Sequence, residues 1–287
     1  MSVETQASVV LSSVNWTGKE ITTIQYIVPR SILAEINTHR VFSRNVRNSS
    51  RAIPTTKVIE EIRNNPFIPE FKANQRGMVA KDSYVKSHSR AIDVWLATMR
   101  ESLNGAEILA ELDSHKQYQN RLLEPFSYVK GVITSTEWEN FYSQRISVDA
   151  EPEMCRLAES ILECATNTDV TELRPGEWHL PFIQDDEKQL NIEVQKKISV
   201  ARCARISVVP FDSATRDVEK DLELYNFLLS QNHWSPFEHI ARVPTHFEAI
   251  GEAFKGLRQL LTNHQTKLRY GNFSGWFQYR QEVQNGY

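Results

Sequence analysis

Between Asn37 and Pro54 the chain reads N-T-H-R-V-F-S-R-N-V-R-N-S-S-R-A-I-P, placing Arg40, Arg44, Arg47 and Arg51 among His39, Ser43, Asn45, Asn48, Ser49 and Ser50. No Asp or Glu falls between Ile36 and Ile59, although the formal charge of the whole protein is -3. Guanidinium groups set among hydroxyl and amide donors suit a phosphate or a carboxylate, which takes several charge-assisted hydrogen bonds at once. A solvated basic loop, or one that meets nucleic acid, has the same composition. Arg121 and Arg145 extend the cationic set further along the chain. His233 and His239 flank the turn H-W-S-P-F-E-H, with Glu238 beside the second. They are either a metal pair or hydrogen-bonding residues that fix the turn. We expect the second role and no metal site.

Several chemistries are excluded. The chain has no G-x-G-x-x-G, no G-x-x-x-x-G-K-[ST], no H-E-x-x-H and no G-x-S-x-G. A nucleotide or dinucleotide would therefore not be held by the usual glycine-rich turn. The three cysteines, Cys155, Cys164 and Cys203, include no C-x-x-C pair. Their sparse, odd number fits a reducing cytoplasm, and each reads as a small buried hydrophobe. A pI near 6.3 speaks against a general nucleic-acid binder. No apolar run approaches the roughly 20 residues of a membrane span, and Met1 to Val10 lacks the pattern of a signal peptide. A cytoplasmic location is expected.

At 287 residues, 40% hydrophobic and 24% charged, the chain matches one large domain or two ordinary ones. The β-branched run Ile21 to Val28 predicts a strand and Ser31 to Thr38 a short helix that delivers His39 and Arg40 to a loop closed by Pro54. Lys57 to Asn64 predicts a helix stopped by Pro66, and Tyr84 to Leu112 a long one that Gly105 divides. Gln117 to Leu123 and Trp138 to Ser147 are helical, with Tyr128 to Thr134 between them as a turn or short helix. Glu151 to Ala165 is an amphipathic helix with Pro152 in its first turn. Thr166 to Asn191 reads as a long loop. Ile192 to Ser207 reads as a helix running into strand-like I-S-V-V, and Asp217 to Ser230 as another helix. A strand follows the His239 turn through Val243.

Taken together, three separated segments resemble the flavin-dependent thymidylate synthases. That family carries R-H-R followed by a Ser-x-Arg loop, and here Thr38-His39-Arg40 and Ser49-Ser50-Arg51 occupy the pattern. An Ala-Arg-[IV]-Ser strand and a His-x-Thr-Pro-Phe-Glu-His turn are matched by Ala204-Arg205-Ile206-Ser207 and by His233 to His239. An Arg-x-x-x-Pro segment and Asn-Phe-x-x-x-Arg are matched by Arg121 to Pro125 and Asn140-Phe141 to Arg145. The order differs from the usual one, since the A-R-I-S and P-F-E-H segments come last. A circular permutation of the phage-like kind is implied, with residues 166–191 as the joining loop and 60–114 as a helical insertion in a single domain spanning 1–287.

The resemblance implies an α+β fold, with a mixed or antiparallel sheet packed against long helices. It implies reductive methylation of dUMP to dTMP with FAD, methylenetetrahydrofolate and NADPH. A sibling enzyme forming hydroxymethyl-dUMP and a non-catalytic nucleotide- or nucleic-acid-binding protein are the rivals. A homotetramer with shared sites is implied, without membrane or stable nucleic-acid partner. His39, Arg40, Val41, Asn140, Ser207, His233 and Ser235 would contact FAD. Ser49, Ser50, Arg51 and Arg121 would hold the dUMP phosphate, Arg121 from a neighbouring subunit. Arg145 would bind the uracil edge and stabilise negative charge there; with His233 it forms the expected catalytic pair. Departures fall at Thr38 in place of the first Arg, Glu35 in place of a Gln, and Val46-Arg47 in place of an acidic residue. Asn and Arg are missing around Thr134 to Thr136, and Arg44 or Arg47 is available to replace the lost arginine. Trp178-His179 is expected to plug the helix layer. The aromatic tail Trp276 to Arg280 either docks the terminus or forms a lid over the site.

Overall fold

The computed structural model describes residues 4–46, 50–51, 53–75, 83–206, 217–262 and 269–286. Ser49, Arg47 and Ser207 lie outside the described residues, and so does the I-S-V-V segment beyond Ile206. In chain order the elements begin with β1 (Gln6–Val14), β2 (Glu20–Pro29), α1 (Leu33–Ile36), β3 (Ser43–Val46), α2 (Thr55–Asn64), α3 (His88–Glu111) and α4 (Lys116–Arg121). They continue with β4 (Tyr128–Ser135), α5 (Glu139–Arg145), α6 (Pro152–Thr166), β5 (Thr171–Glu172), β6 (Trp178–His179), α7 (Ile192–Arg205) and α8 (Val218–Ser230). The last are β7 (Ala241–Arg242), α9 (His246–Thr262), β8 (Phe277–Gln278) and α10 (Tyr279–Asn285). The fold is α+β. Among the described residues, no helix is long and apolar enough to cross a membrane.

A five-stranded sheet in the order β3-β4-β2-β1-β5 forms the frame. Its four main strands are antiparallel neighbours, and β5 joins β1 in parallel. The side-chain alternation of a strand gives each face its own chemistry. On one face Ile24, Tyr26 and Val28 of β2 lie in register with Ile133, Gly131 and Val129 of β4. They pack with Ile32, Leu33 and Ile36, with Phe42 and Phe141, and with Met154, Leu157, Ala158 and Ile161 of α6. Gly131 is needed there, because a Cβ would collide with the Tyr26 ring. The opposite face is the more polar one, although Ile21, Ile27 and Val132 also lie on it. Ser43, Thr134 and Thr23 form a row across β3, β4 and β2, and a three-stranded sheet, β6-β7-β8, accompanies them.

A separate apolar cluster joins Val58, Ile59 and Ile62 of α2 to Met99, Leu103 and Ala106 of α3 and to Leu123 and Phe126. Helix starts follow their local chemistry. Glu151 caps α6 by accepting from the Met154 amide, with Pro152 in the first turn. Asp217 caps α8 through the Lys220 amide.

Several expectations need correcting. Tyr128 to Thr134 is neither turn nor helix but most of β4, an inner strand. The basic loop contains β3, and the N-terminal residues supply β1. Gly105 does not divide α3, which is continuous from His88 to Glu111. Ala204 and Arg205 belong to the last turn of α7 rather than to a strand. Trp276 and Phe277 have no exposed surface and Tyr279 almost none, so the tail docks in the core and is no lid. His179 is not part of an apolar plug: it is wholly buried and bonded to hydroxyls. All three cysteines are free, and burial raises the Cys203 thiol pKa.

Candidate active site around strand β3

The short strand β3 links the segments singled out in the sequence. Before it, α1 ends at Ile36, and Asn37 to Phe42 turn into the strand. The last turn of α5 delivers Arg145 beside that turn. The Arg145 Nε donates to His39 Nε2 at 3.0 Å, Nη1 meets Glu35 Oε2 at 2.9 Å, and Nη2 donates to Thr38 Oγ1 at 3.3 Å. The planar guanidinium thus satisfies three acceptors in one fork. Two of the departures from the family pattern, Glu35 and Thr38, are partners of Arg145. Because His39 accepts from a guanidinium, its Nε2 carries no proton. The ring is buried and packed edge-on against Phe141, with centroids 5.0 Å apart. Burial first, and then the charges of Arg145 and Arg44, lower the His39 pKa from its ordinary value. Arg44 itself donates to the Ile36 carbonyl at 2.9 Å, which ties the strand to the end of α1.

On the polar face, Asn45 holds two later segments. Its Nδ2 donates to the Cys203 carbonyl at 2.8 Å, at the end of α7. Its Oδ1 accepts from Ser235 Oγ at 3.0 Å, in the H-W-S-P-F-E-H turn. Val46 pairs with Gly131, towards the start of β4. The chain then reaches Ser50, whose hydroxyl donates to Glu124. Arg30, at the end of β2, bridges the pair: its Nη2 lies 2.8 Å from Glu124 Oε1 and 3.3 Å from Ser50 Oγ. Asn120 Nδ2 donates to the Ser50 carbonyl at 2.9 Å and so secures the loop to α4. Burial and the nearby charge of Arg121 lower the Arg30 pKa, while Glu124 acts in the opposite direction.

Of the expected site residues, His39 and Arg145 are in direct contact, and Ser235 is bonded to β3. Ser50 sits with Arg30 at the other end of that strand, and the Arg121 charge is felt there. Val41 is half-buried, and its carbonyl accepts from Asn272 Nδ2 at 2.8 Å. Arg40, Arg51, Arg121, Asn140 and His233 are exposed. Among the described residues, no hydrogen bond or ion pair joins Arg40, Asn140 or His233 to the Arg145 cluster. Among the described residues no group of His, Cys, Asp and Glu could hold a metal ion. The sequence reading missed Arg30 and Glu124, and it named Asn45 among the donors of the basic loop without its partners. Arg30 follows the predicted strand one residue on, after Pro29, which marks a strand-end position, whereas Glu124 comes near only through the return of β4.

His239 is expected from the sequence to fix its own turn, but it reaches across to β4 and meets Thr134 Oγ1 through Nδ1 at 2.9 Å. Thr134 bonds Thr23 at 2.7 Å, Thr23 bonds His179 Nε2 at 2.8 Å, and His179 Nδ1 bonds Ser13 at 2.9 Å. Burial brings the pKa of both histidines down to about 3, with a smaller contribution at His179 from His239.

No family model and no curated protein matches the chain. Solved structures do. The chain is similar to thymidylate synthase X (ThyX) from Helicobacter pylori with FAD and dUMP, at 17% identity and a TM-score of 0.35, over 50% of this chain and 67% of that one. It is also similar to the UMP/dUMP methylase PolB from Streptomyces cacaoi bound with 5-Br dUMP, at 10% identity and a TM-score of 0.44, over 58% and 91% of the two chains. The same methylase bound with 5-Br UMP matches at 12% identity and a TM-score of 0.41, over 58% and 90%.

Proposed function

We propose that this protein is a flavin-dependent enzyme that modifies the pyrimidine ring of dUMP, and that its reaction is reductive methylation to dTMP with methylenetetrahydrofolate and NADPH. The observation that carries the reading is the meeting of its distant motifs at one strand. His39 and Arg145 touch before β3, and the Ser235 turn and the end of α7 are bonded to Asn45 within it. Ser50 follows β3 beside Arg30. Chain segments separated by up to 190 residues thus share one short edge strand.

In this reading Arg145 binds the uracil edge, where fixed positive charge stabilises the negative charge that develops on the ring. Ser50, Arg51 and Arg121 grip the phosphate, with Arg121 supplied by a neighbouring subunit of a homotetramer. For that, the Ser50 hydroxyl must turn from Glu124 to the phosphate, and the cation beside it, Arg30, is placed to help. The donor set on the other side fits an anionic dinucleotide such as FAD. Arg40 is exposed and ion-paired with no described carboxylate, while Asn140 and His233 present exposed polar groups. These residues, with His39, Val41, Ser207 and Ser235, would hold FAD, which when bound supplies reducing equivalents. The enzyme forms one domain in permuted order, with residues 60–114 inserted.

A second reading has a specific observation behind it. Glu35 already neutralises part of the Arg145 charge, which alters the electrostatics a methylating site would offer the ring. The sibling reaction that yields hydroxymethyl-dUMP is therefore kept as the second reading. Purified protein should absorb at about 450 nm, the region of flavin bands. It should convert dUMP, given folate and NADPH, to a product whose mass separates methyl from hydroxymethyl. Colourless protein that reconstitutes no flavin, with steeply salt-dependent DNA binding, would overturn both readings.

A further inference from the structure

Helix α9 carries an apolar stripe that the fold leaves uncovered. Phe247, Ile250 and Phe254 are 89%, 56% and 65% exposed. Their spacing of three and then four residues puts them on one face of the helix. The sequence continues that alternation with Leu257 and Leu261. Trp16, 44% exposed, stands at the start of the helix with its ring 4.1 Å from that of His246 and its Nε1 bonded to the Pro244 carbonyl. Isolated surface hydrophobes are ordinary, but a regular stripe of this kind is not.

Both carboxylates of α9 are engaged in ion pairs. Glu248 pairs with Arg242 and Arg269, and buried Glu252 pairs with Lys255 and accepts the Arg269 amide. The helix is therefore held in a fixed orientation, with its acidic side turned inward and its apolar side turned out. Between the large residues stands Gly251, which lets another backbone come close.

We propose that this face is the seam at which two copies of the chain associate, α9 against α9 about a twofold axis. A three-four apolar repeat is the pattern by which helices pair with their like. An isologous contact requires a surface compatible with itself. This stripe meets that requirement because no carboxylate of α9 points outward to repel its mate. Aromatic side chains bury about 150–250 Å² each, so the three exposed rings and Ile250 together offer roughly 500 Å² per copy. A pair then buries about 1,000 Å², the area at which specific association begins. This seam rests on the homo-oligomer of the dUMP reading and assigns it a surface; an assembly whose mass survives the double variant would sink the seam alone.

The test uses the full-length protein in sedimentation equilibrium over a range of concentrations. Wild type should be dimeric or larger. The double variant Phe247→Glu and Phe254→Glu should fall to half that mass or less, while its thermal midpoint and circular dichroism stay those of a folded chain. Ile250 is central to the stripe, so Ile250→Cys should give a disulfide-linked dimer on mild oxidation that wild type does not give. A monomeric wild type, or an assembly whose mass the double variant leaves unchanged, would overturn the proposal. So would a stripe that binds anionic lipid vesicles while the protein stays monomeric, since a membrane would then be its occupant.

Discussion

Two histidine sites lie on opposite faces of the same sheet, and they handle burial in opposite ways. On the apolar face His39 sits at the rim of the core, against Phe42 and Phe141, and takes a hydrogen bond from a charged arginine. On the polar face His179 and His239 are sealed from solvent and bonded only to hydroxyls. A charge in the second place would cost several kcal/mol to desolvate, so that site is built from groups that stay neutral. In the first, Arg145 keeps part of its surface in contact with solvent, and Glu35 even more. Charge is held where a ligand can reach it, and neutral hydrogen bonds tie the layers where none can.

The comparison breaks most sharply at Arg145. If this rim is the catalytic one, Arg145→Ala should lower kcat/KM for dUMP by about 100-fold or more, the loss typical of a removed charge-stabilising donor. The variant should also lose on the order of 1–2 kcal/mol of stability, because Glu35 and Thr38 become solvated while the buried His39 Nε2 is left without its donor. Steady-state assays with dUMP and a parallel thermal melt test both halves. An unchanged kcat/KM would move the chemistry elsewhere.

The sealed site should respond in the reverse sense. His179→Phe keeps an aromatic ring but removes the partner of Ser13 and one of the two partners of Thr23. A buried polar group left unpaired costs on the order of 2 kcal/mol. The urea midpoint should fall accordingly, while dUMP affinity per folded molecule stays the same. A loss of affinity at full folding would show that the two faces are coupled.

Acid separates them further. In the folded protein His179 and His239 take up a proton only near pH 3, whereas an unfolded histidine does so near pH 6.5. Between those values the unfolded chain binds more protons, so stability rises with pH and is lost as pH falls below about 6.5. The slope is up to about 1.4 kcal/mol per pH unit for each histidine. Denaturation curves at pH 7 and pH 5 should show this loss, and His179→Phe should remove at most half of it, because His239 and His39, whose pKa is also lowered, retain their shares. An equal acid sensitivity in the variant would mean that other groups carry it.

The sequence disclosed these two regions unequally. The arginine-rich rim was legible because its chemistry is written in consecutive residues and in motif spacing, and the caps at Glu151 and Asp217 announce their helices. The sealed network was not, because it joins Ser13, Thr23, Thr134, His179 and His239 across more than 200 residues, and nothing local marks a hydroxyl as the partner of a distant imidazole. Strand β4 was hidden by Lys130 and Gly131, which interrupt its apolar run. Gly131 is there to make room for Tyr26, a requirement set by the neighbouring strand. In β3, Ser43 to Val46 reads as loop because its polar side chains answer Cys203, Ser235 and Asn272 rather than water. The tail rings were legible as anchors or lid, and only packing separates the two. Glu35 was seen as a departure, but its partner was not, since Arg145 lies 110 positions away.

That partner gives the finest test of the rim. Glu35 and Arg145 form a partly exposed ion pair, and such pairs contribute about 0.2–1 kcal/mol. A ligand that needs the Arg145 guanidinium competes with Glu35 for it. Glu35→Gln keeps the shape and a hydrogen-bond acceptor but removes the competing charge. Nucleotide affinity, measured by calorimetry with dUMP, should therefore tighten by roughly 2- to 5-fold, the equivalent of that pair energy. The gain should shrink as salt is added, because screening weakens the wild-type pair and leaves less for the variant to relieve. Weaker binding by Glu35→Gln would mean that the carboxylate itself receives a donor from the base, and that Glu35 belongs to the recognition surface rather than standing guard over Arg145.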